Sequence, residues 1–259
     1  MTATTPQDPS QRVRIFFTNR VTGASKPPYD GFNLGDHVGD DPIAVEENRA
    51  KLARTIGVPR SRLVFMEQVH STTVTVVDGT TPVPVPATDA IVTTDEGLAL
   101  IVLTADCVPV LLCDATAGVV AAVHAGRRGA QGGIVPATVR TMCELGANPA
   151  AMHAWIGPAA SGRHYELPAD MVEEVEQQLP GSATTTVAGT PGVDLRTGLV
   201  RQLYAVGVRS VTTDPRCTIE DREFFSYRRD GTTGRQASVI YLFGQPRHTE
   251  RRRSTGGRR

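Results

Sequence analysis

The sequence lacks any hydrophobic run long enough for a membrane-spanning helix, which needs roughly 20 apolar residues. Its polar start, Met1–Arg12, also lacks the apolar stretch of a secretory signal. With 259 residues, 40% of them hydrophobic, the chain is long enough to bury a full core. These features predict a globular cytoplasmic protein that does not act at a membrane.

Cysteine is scarce, and its spacing excludes a disulfide scaffold. The chain has four cysteines, Cys107, Cys113, Cys143 and Cys217, and no Cys-x-x-Cys pair. We expect free thiols.

The chain also lacks an excess of charge, because 27 Lys and Arg balance 27 Asp and Glu. Residues 247–259 hold six arginines and one glutamate, so the rest of the chain carries a net charge of −5. A nucleic-acid-binding body is therefore not expected, since such a surface needs net positive charge. The composition predicts disordered tails at residues 1–12 and 247–259, with a single domain at 13–246 between them.

Apolar and β-branched runs separated by turn residues predict most of the chain's strands. The predicted strands are Arg14–Thr18, Leu63–Val69, Thr73–Val77, Ala90–Thr93, Leu98–Thr104, Val108–Cys113, Val119–His124, Ala154–Ile156 and Ser238–Phe243. Capping residues and apolar spacing predict helices from Asp41 to Gly57 and over Ile134–Leu145, Ala169–Leu179 and Asp194–Val206. Consecutive strands without strict β-α alternation predict a single α+β domain, built on one mixed sheet or two packed sheets.

Three strands end in chemically reactive side chains. His70, Cys107 and His124 each follow an apolar run, at the rim where a packed sheet holds polar groups rigidly. Two imidazoles and a thiolate can ligate Zn²⁺ and leave its fourth position open. Separations of 37 and 17 residues match no local ligand motif, so buried structural roles stay open. So does a metal-free site in which His124 activates a Cys107 nucleophile, with His70 or Asp106 orienting the base.

An ordered series of motifs resembles the YfiH or laccase-domain family, from about Phe16 to Phe243. The motifs are Phe17-Thr18-Asn19-Arg20, Asn33-Leu34-Gly35, His37-Val38-Gly39-Asp40-Asp41, Gln68-Val69-His70, Thr104-Ala105-Asp106-Cys107-Val108-Pro109, His124-Ala125-Gly126-Arg127-Arg128-Gly129, Ile156-Gly157-Pro158, Phe224-Phe225-Ser226-Tyr227-Arg228-Arg229-Asp230 and Thr233-Gly234-Arg235. This family, also called the polyphenol oxidase family, is regarded as purine nucleoside phosphorylases with adenosine deaminase activity.

The resemblance implies a four-layer fold, in which helices flank a central mixed β-sandwich. It also implies a zinc ion held by His70, Cys107 and His124, with Asn33 in the adjacent pocket. Arg20 and Arg128 are further candidates for contacts with an anion or with the substrate. Two positions depart from the family pattern: Arg127 replaces a Trp and Ala159 replaces a Cys. These departures bear on substrate preference more than on reaction type.

The leading hypothesis is zinc-dependent phosphorolysis and deamination of purine nucleosides of the adenosine, inosine and methylthioadenosine class. Arg20, Arg128 and His37 are candidates for the phosphate cradle. Asp106 is a candidate acid or base, although orienting the neighbouring ligand Cys107 is favoured. The expected partners are therefore small molecules, a purine nucleoside and phosphate.

Three alternatives stand beside this hypothesis. Copper-dependent phenol oxidation is disfavoured, because six histidines are too few for a multicopper oxidase, although Cu²⁺ can replace Zn²⁺ adventitiously. A hydrolase-like role in editing cell-wall peptides would use Cys107 as nucleophile. A non-enzymatic binding module is least favoured, since it would not need these three side chains at strand ends.

Overall fold

The computed structural model describes residues 12–243, so the predicted tails lie outside the described residues except for Arg12. The strands are β1 (Val13–Phe17), β2 (Leu63–Val64), β3 (Val74–Val76), β4 (Ala90–Thr93), β5 (Ala99–Thr104), β6 (Val108–Asp114), β7 (Val119–Ala125), β8 (His153–Ile156), β9 (Ala183–Thr185), β10 (Pro191–Val193), β11 (Ser210–Thr213) and β12 (Gln236–Leu242). The helices are α1 (Pro42–Ile56), α2 (Arg127–Gln131), α3 (Ile134–Glu144), α4 (Ala169–Gln178), α5 (Leu195–Ala205) and α6 (Tyr227–Asp230).

Two mixed sheets form the centre of the molecule. A four-stranded sheet has the order β1-β12-β5-β2, with β2 parallel to β5 and the other pairs antiparallel. A six-stranded sheet has the order β11-β8-β6-β7-β4-β3, parallel only at its two outer pairs. Strands β9 and β10 form a separate antiparallel hairpin.

Alternation along the strands produces four layers. On β5, Ile101 belongs to the same apolar cluster as Leu52 of α1, whereas Leu100 belongs to the cluster that contains Leu111 of the other sheet. On the outer face of the six-stranded sheet, Val123 belongs to the cluster that includes residues of α3, α4 and α5. The order is therefore helix, sheet, sheet, helices, which confirms the predicted four-layer arrangement around a central mixed β-sandwich.

Helix α1 begins and ends where the sequence predicts. The Asp41 carboxylate accepts a hydrogen bond from the Ile43 amide at 2.9 Å, and Pro42 occupies the first helical position. Gly57 ends the helix with φ +72°, a left-handed conformation that suits glycine. This helix covers the outer face of the four-stranded sheet.

The predicted strand Leu63–Val69 is too long, because regular pairing ends at Val64. Beyond Val64, the Gln68 side chain forms two hydrogen bonds with the backbone of Leu103 in β5. Its Oε1 accepts from Leu103 N at 2.8 Å, and its Nε2 donates to Leu103 O at 2.7 Å. The Gln68 side chain thus makes the two hydrogen bonds to β5 that the backbone of a continued strand would make. The segment that follows is released from the sheet and carries His70 to its rim.

The short elements α2, α6, β9, β10 and β11 are absent from the sequence-based predictions. Strand β11 reads Ser-Val-Thr-Thr at an exposed sheet edge, so it lacks the apolar run used to predict strands. No helix within residues 12–243 has the length and hydropathy to cross a lipid bilayer.

Candidate metal centre

Three separate segments bring His70, Cys107 and His124 to one end of the β-sandwich. His124 lies near the end of β7, on the side of the strand that packs between the sheets at Ala122. Cys107 lies in the turn between β5 and β6, and His70 follows the segment released by Gln68. The ligating atoms of all three side chains lie within 4.8 Å of one another.

The geometry of this group suits a metal ion. Cys107 Sγ lies 3.8 Å from His70 Nε2, and the two imidazole rings meet edge to face with centroids 4.8 Å apart. One thiolate sulfur and two imidazole nitrogens form a ligand set typical of Zn²⁺ and of Cu²⁺. The group can therefore hold a metal ion while leaving a coordination position open.

Asp89, which is absent from the sequence-based predictions, holds the ring of His124 and the backbone at His70. His124 Nδ1 donates to Asp89 Oδ1 at 2.8 Å, which leaves His124 Nε2 available to a metal. The same carboxylate accepts from the His70 amide at 3.0 Å and from the Ser71 amide and hydroxyl, each at 2.7 Å. Asp89 is fully buried and directly precedes β4, so one buried anion orients the His124 ring and anchors the loop that carries His70.

Charges within the group favour a thiolate facing an imidazolium when no metal is bound. Burial opposes ionisation of Cys107, but the positive charge and hydrogen bonds of His124 and His70 lower its pKa to about 6. Burial likewise opposes a charged His124, yet Cys107 and Asp89 raise its pKa to about 9. Burial also disfavours the Asp89 anion, but hydrogen bonds from His124 and Ser71 lower its pKa to about 2.

The backbone around the group is held in uncommon conformations. His70 has φ +61° and Asp106 has φ +93°, both in the left-handed region that side chains rarely adopt. Gly126 leaves the space that His70 and Cys107 occupy, because a Cβ there would lie 2.7 Å from His70 Cδ2 and 3.2 Å from Cys107 Sγ. The sequence motif contained Gly126, but its steric role emerges only from the fold.

Two cavities meet at Cys107. The larger, about 390 Å³, is lined by Ala105, Asp106, Cys107, Arg127, Ala160, Tyr165, Leu195, Tyr227 and Arg228. The smaller, about 320 Å³, is lined by Val69, His70, Cys107, Arg127, Arg128 and Tyr165. Cys107, Arg127 and Tyr165 belong to both walls, so the candidate metal centre opens onto both spaces.

Tyr165 and Arg228 are further candidate residues that the sequence analysis did not single out. The Arg228 guanidinium lies 5.0 Å from the centre of the Tyr165 ring. Burial and the nearby Cys107 raise the pKa of Tyr165, against the opposing charges of Arg228 and Arg127. No motif around Tyr165 indicates that it lines a cavity, whereas Arg228 lies in one of the motifs that resemble the family.

Asp106 contacts the surrounding loops through both carboxylate oxygens. It accepts from the Thr218 hydroxyl at 2.6 Å and from the Arg228 amide at 2.7 Å, and its own carbonyl accepts from the Ala160 amide. These contacts anchor the turn that presents Cys107. The geometry therefore suits Asp106 to positioning Cys107.

Besides the buried candidate ligand His124, three predicted site residues lie outside the walls of both cavities. Arg20 pairs with Asp30 at 3.0 Å, and exposed His37 lies 3.7 Å from Asp36. Asn33 is fully buried: its amide nitrogen donates to Asp40 at 2.8 Å and its oxygen accepts from the Arg235 amide at 2.8 Å.

Arg128, by contrast, lines the smaller cavity beside His70. Of the two positions that depart from the family pattern, Arg127 lines both cavities. The other, Ala159, is fully buried and forms a β-bridge with Cys217.

Fold and site together define a class of protein in which a β-sandwich flanked by helices carries a His-Cys-His group at one end. The family model described as multi-copper polyphenol oxidoreductase laccase matches residues 14–243. The chain belongs to this family, which confirms the resemblance noted in the sequence.

Known proteins are similar to this chain over nearly its whole length. A Corynebacterium glutamicum protein named purine nucleoside phosphorylase is 58% identical over 238 residues, which cover 91% of this chain and 97% of the relative. A Mycobacterium tuberculosis protein of the same name is 55% identical over 233 residues, or 90% and 93% of the two chains. The crystal structure of YlmD from Geobacillus stearothermophilus superposes with a TM-score of 0.85 at 33% identity, covering 91% and 94%.

Metal binding is expected to protect Cys107 from alkylation. In the metal-free protein its lowered pKa and partial exposure favour reaction with iodoacetamide, whereas a bound ion would occupy the sulfur. Cys143 is an internal control, because it is also partly exposed while burial raises its pKa. Mass spectrometry should show Zn²⁺ slowing modification of Cys107 and leaving Cys143 unchanged. Equal rates at Cys107 with and without Zn²⁺ would contradict its role as a ligand.

Proposed function

We propose that the protein is a zinc-dependent purine nucleoside phosphorylase that also deaminates adenosine. The observation that carries this proposal is the His70-Cys107-His124 group at the junction of two cavities, both bordered by Tyr165 and by arginines. Relatives of more than half identity that are named purine nucleoside phosphorylases support the phosphorylase activity.

The donor set supports zinc as the resident metal. His124 is oriented through Nδ1 by a buried carboxylate, which is a common arrangement around zinc-bound histidines. When bound, zinc supplies a Lewis acid with a vacant coordination position beside the cavities. His70, Cys107 and His124 would hold it, while Asp89 and Asp106 position these ligands.

The larger cavity is the proposed nucleoside site. Tyr165 and Tyr227 present aromatic surface for a purine ring, and Leu195 and Ala160 add apolar walls. Its volume of about 390 Å³ is within the usual range for small-molecule sites. A nucleoside bound there would lie beside Cys107 and therefore beside the candidate metal centre.

The two reactions require different nucleophiles in this site. Phosphorolysis breaks the C1′–N9 bond and joins C1′ to a phosphate oxygen, which yields the free base and ribose 1-phosphate. Deamination replaces the 6-amino group of adenosine by oxygen from water and releases ammonia. The chain contributes by binding and orienting the reactants, because held groups react without the entropic cost of encounter.

The other described histidines argue against a multicopper site. His153 stacks on Trp155 and bonds Thr212, His164 Nε2 lies 3.3 Å from Glu220, and exposed His37 lies beside Asp36. Within residues 12–243, the group at His70 is the one cluster of three or more suitable donors. This favours a single metal ion over a multicopper oxidase centre.

We also propose a cytoplasmic location. The four cysteines, all within the described residues, are unpaired, and the candidate site needs Cys107 as a thiolate. A reducing compartment preserves such thiols.

Chelation followed by metal replacement is the decisive test of the proposed function. Protein freed of metal is expected to lose both activities, and added Zn²⁺ is expected to restore them. Chromatography of reactions with adenosine should show adenine only when phosphate is present and inosine without phosphate. A Cys107→Ala variant should lack bound zinc by elemental analysis and form neither product.

Other results would contradict the proposal. If zinc-loaded protein yields no free base from adenosine, inosine or methylthioadenosine, the phosphorylase function is wrong. Activity that survives chelation and is blocked by alkylation would instead indicate a cysteine hydrolase. Phenol oxidation that appears only after copper loading would reflect adventitious metal replacement.

A further inference from the structure

Arg127 occupies the boundary between the two cavities. It is the first residue of α2, directly after Gly126, and it lines both walls together with Cys107 and Tyr165. The residue is half-buried, and one guanidinium nitrogen donates to Gln131 Oε1 at 3.0 Å. A single cation therefore reaches both the nucleoside side and the His70 side of the site.

The cations around this boundary lack carboxylate partners. Arg127, Arg128 and Arg228 line the cavities, and none forms an ion pair with a carboxylate among residues 12–243. Asp106 is the one carboxylate in either wall, and both its oxygens already accept hydrogen bonds. The walls thus combine three guanidinium groups with one carboxylate that is already engaged and with Cys107, whose sulfur faces the two histidines of the candidate metal centre.

Such an excess of positive charge requires compensation when a ligand displaces water. A neutral nucleoside would cover Arg127 and Arg228 without offering them an anion, and desolvating unpaired charges is costly. Arginine forks are well matched to phosphate oxygens, which they contact in bidentate pairs. An anion bound at the boundary would neutralise the guanidinium groups and leave the aromatic wall to the purine.

We propose that Arg127, with Arg128 and Arg228, forms the binding site for inorganic phosphate in this protein. The assignment rests on the proposed phosphorylase function and adds the position of the second substrate. It moves the phosphate cradle away from Arg20 and His37, because Arg20 is paired with Asp30 and neither residue lines the cavities. It also gives a function to a position at which this chain departs from the family pattern.

The site places phosphate for direct displacement at the ribose. One oxygen of HPO₄²⁻ bonds to C1′ while the C1′–N9 bond breaks and its electron pair moves to N9. The proton originally on phosphate ends on the purine, so the products are a neutral base and ribose 1-phosphate dianion. Arg127 binds the oxygens that do not react and keeps the dianion beside both cavities.

Phosphate binding by Arg127→Gln, Arg127→Lys and Arg140→Gln variants tests this assignment. Arg140 is an exposed residue of α3 outside both cavity walls, which makes it a matched control. Loss of a charge-assisted contact is expected to raise the calorimetric Kd for inorganic phosphate, and its KM in phosphorolysis, by about tenfold in Arg127→Gln. The KM for adenosine should change much less. Arg127→Lys should recover part of the loss, and Arg140→Gln should match the unchanged protein.

Several outcomes would overturn the assignment. Phosphate Kd and KM within about twofold of the unchanged protein in Arg127→Gln would exclude the contact. Equal losses in the Gln and Lys variants would indicate a packing role without use of the charge. Calorimetry separates this inference from the proposed function: phosphate binding that depends on Arg127 without phosphorolysis would contradict only the function. Phosphorolysis that is insensitive to Arg127 would contradict only the phosphate site.

Discussion

Replacing Asp89 by Asn is expected to weaken zinc binding by about 10- to 100-fold, the usual cost of losing a group that orients metal ligands. Both carboxylate oxygens accept hydrogen bonds, from His124, Ser71 and the amides of Val69 and His70. An amide group must turn its own NH₂ towards at least one of these donors. The NH₂ group of asparagine and an N–H donor cannot form a hydrogen bond with each other, because neither offers an acceptor. The loop carrying His70 or the ring of His124 must therefore move.

A second buried aspartate separates this effect from general destabilisation. Asp114 is 2% exposed and accepts from the amides of Thr116, Ala117 and Asn148 at the opposite end of β6. Each Asp→Asn change is expected to lower the free energy of unfolding by about 1–3 kcal/mol, because each leaves a buried donor unpaired. Only Asp89→Asn should weaken zinc binding in a competition titration against a chromophoric chelator. Equal zinc affinity in the two variants would contradict the orienting role of Asp89.

The candidate ligands were predictable because buried strands can be recognised in the sequence as apolar runs. Fully buried runs such as β5 and β7 stand out as continuous apolar segments, and the reactive residue beyond each must lie at a sheet rim. The apolar pattern of the sequence could not show which strand ends lie next to one another in the fold. That depends on two sheets packing face to face, and here the family resemblance supplied the arrangement that the structure confirms.

Residues that act through long-range contacts escaped sequence reasoning. Asp89 follows Ala-Thr in a loop, so it reads as a turn residue until folding brings it to His124, 35 positions away. Tyr165 carries no local signal for the same reason. Conversely, Arg20 and His37 have suitable chemistry and lie in motifs, yet the fold places them beside Asp30 and Asp36. Motif membership identifies candidates, while tertiary contacts determine which of them face the cavities.

Gly126 carries the other large prediction: a Gly126→Ala substitution is expected to weaken zinc binding by more than about tenfold by displacing candidate ligands. The backbone at Gly126 has φ −67° and ψ 166°, which alanine adopts without strain, so the effect must come from the added methyl group. That group would lie 2.7 Å from His70 Cδ2 and 3.2 Å from Cys107 Sγ. Because His70 is exposed, its ring can swing outwards, and the free energy of unfolding should change little.

Gly79→Ala is the matched control for this substitution. Its new methyl group would closely approach only Nη1, at 2.5 Å, at the far end of the long Arg62 side chain. We therefore expect Gly79→Ala to keep the zinc affinity and the thermal stability of the unchanged protein. Gly126→Ala is expected to keep its thermal stability and to lose zinc affinity. If Gly126→Ala binds zinc as tightly as the control, His70 and Cys107 do not converge on one ion in solution. Both the metal centre and the function proposed from it would then be wrong.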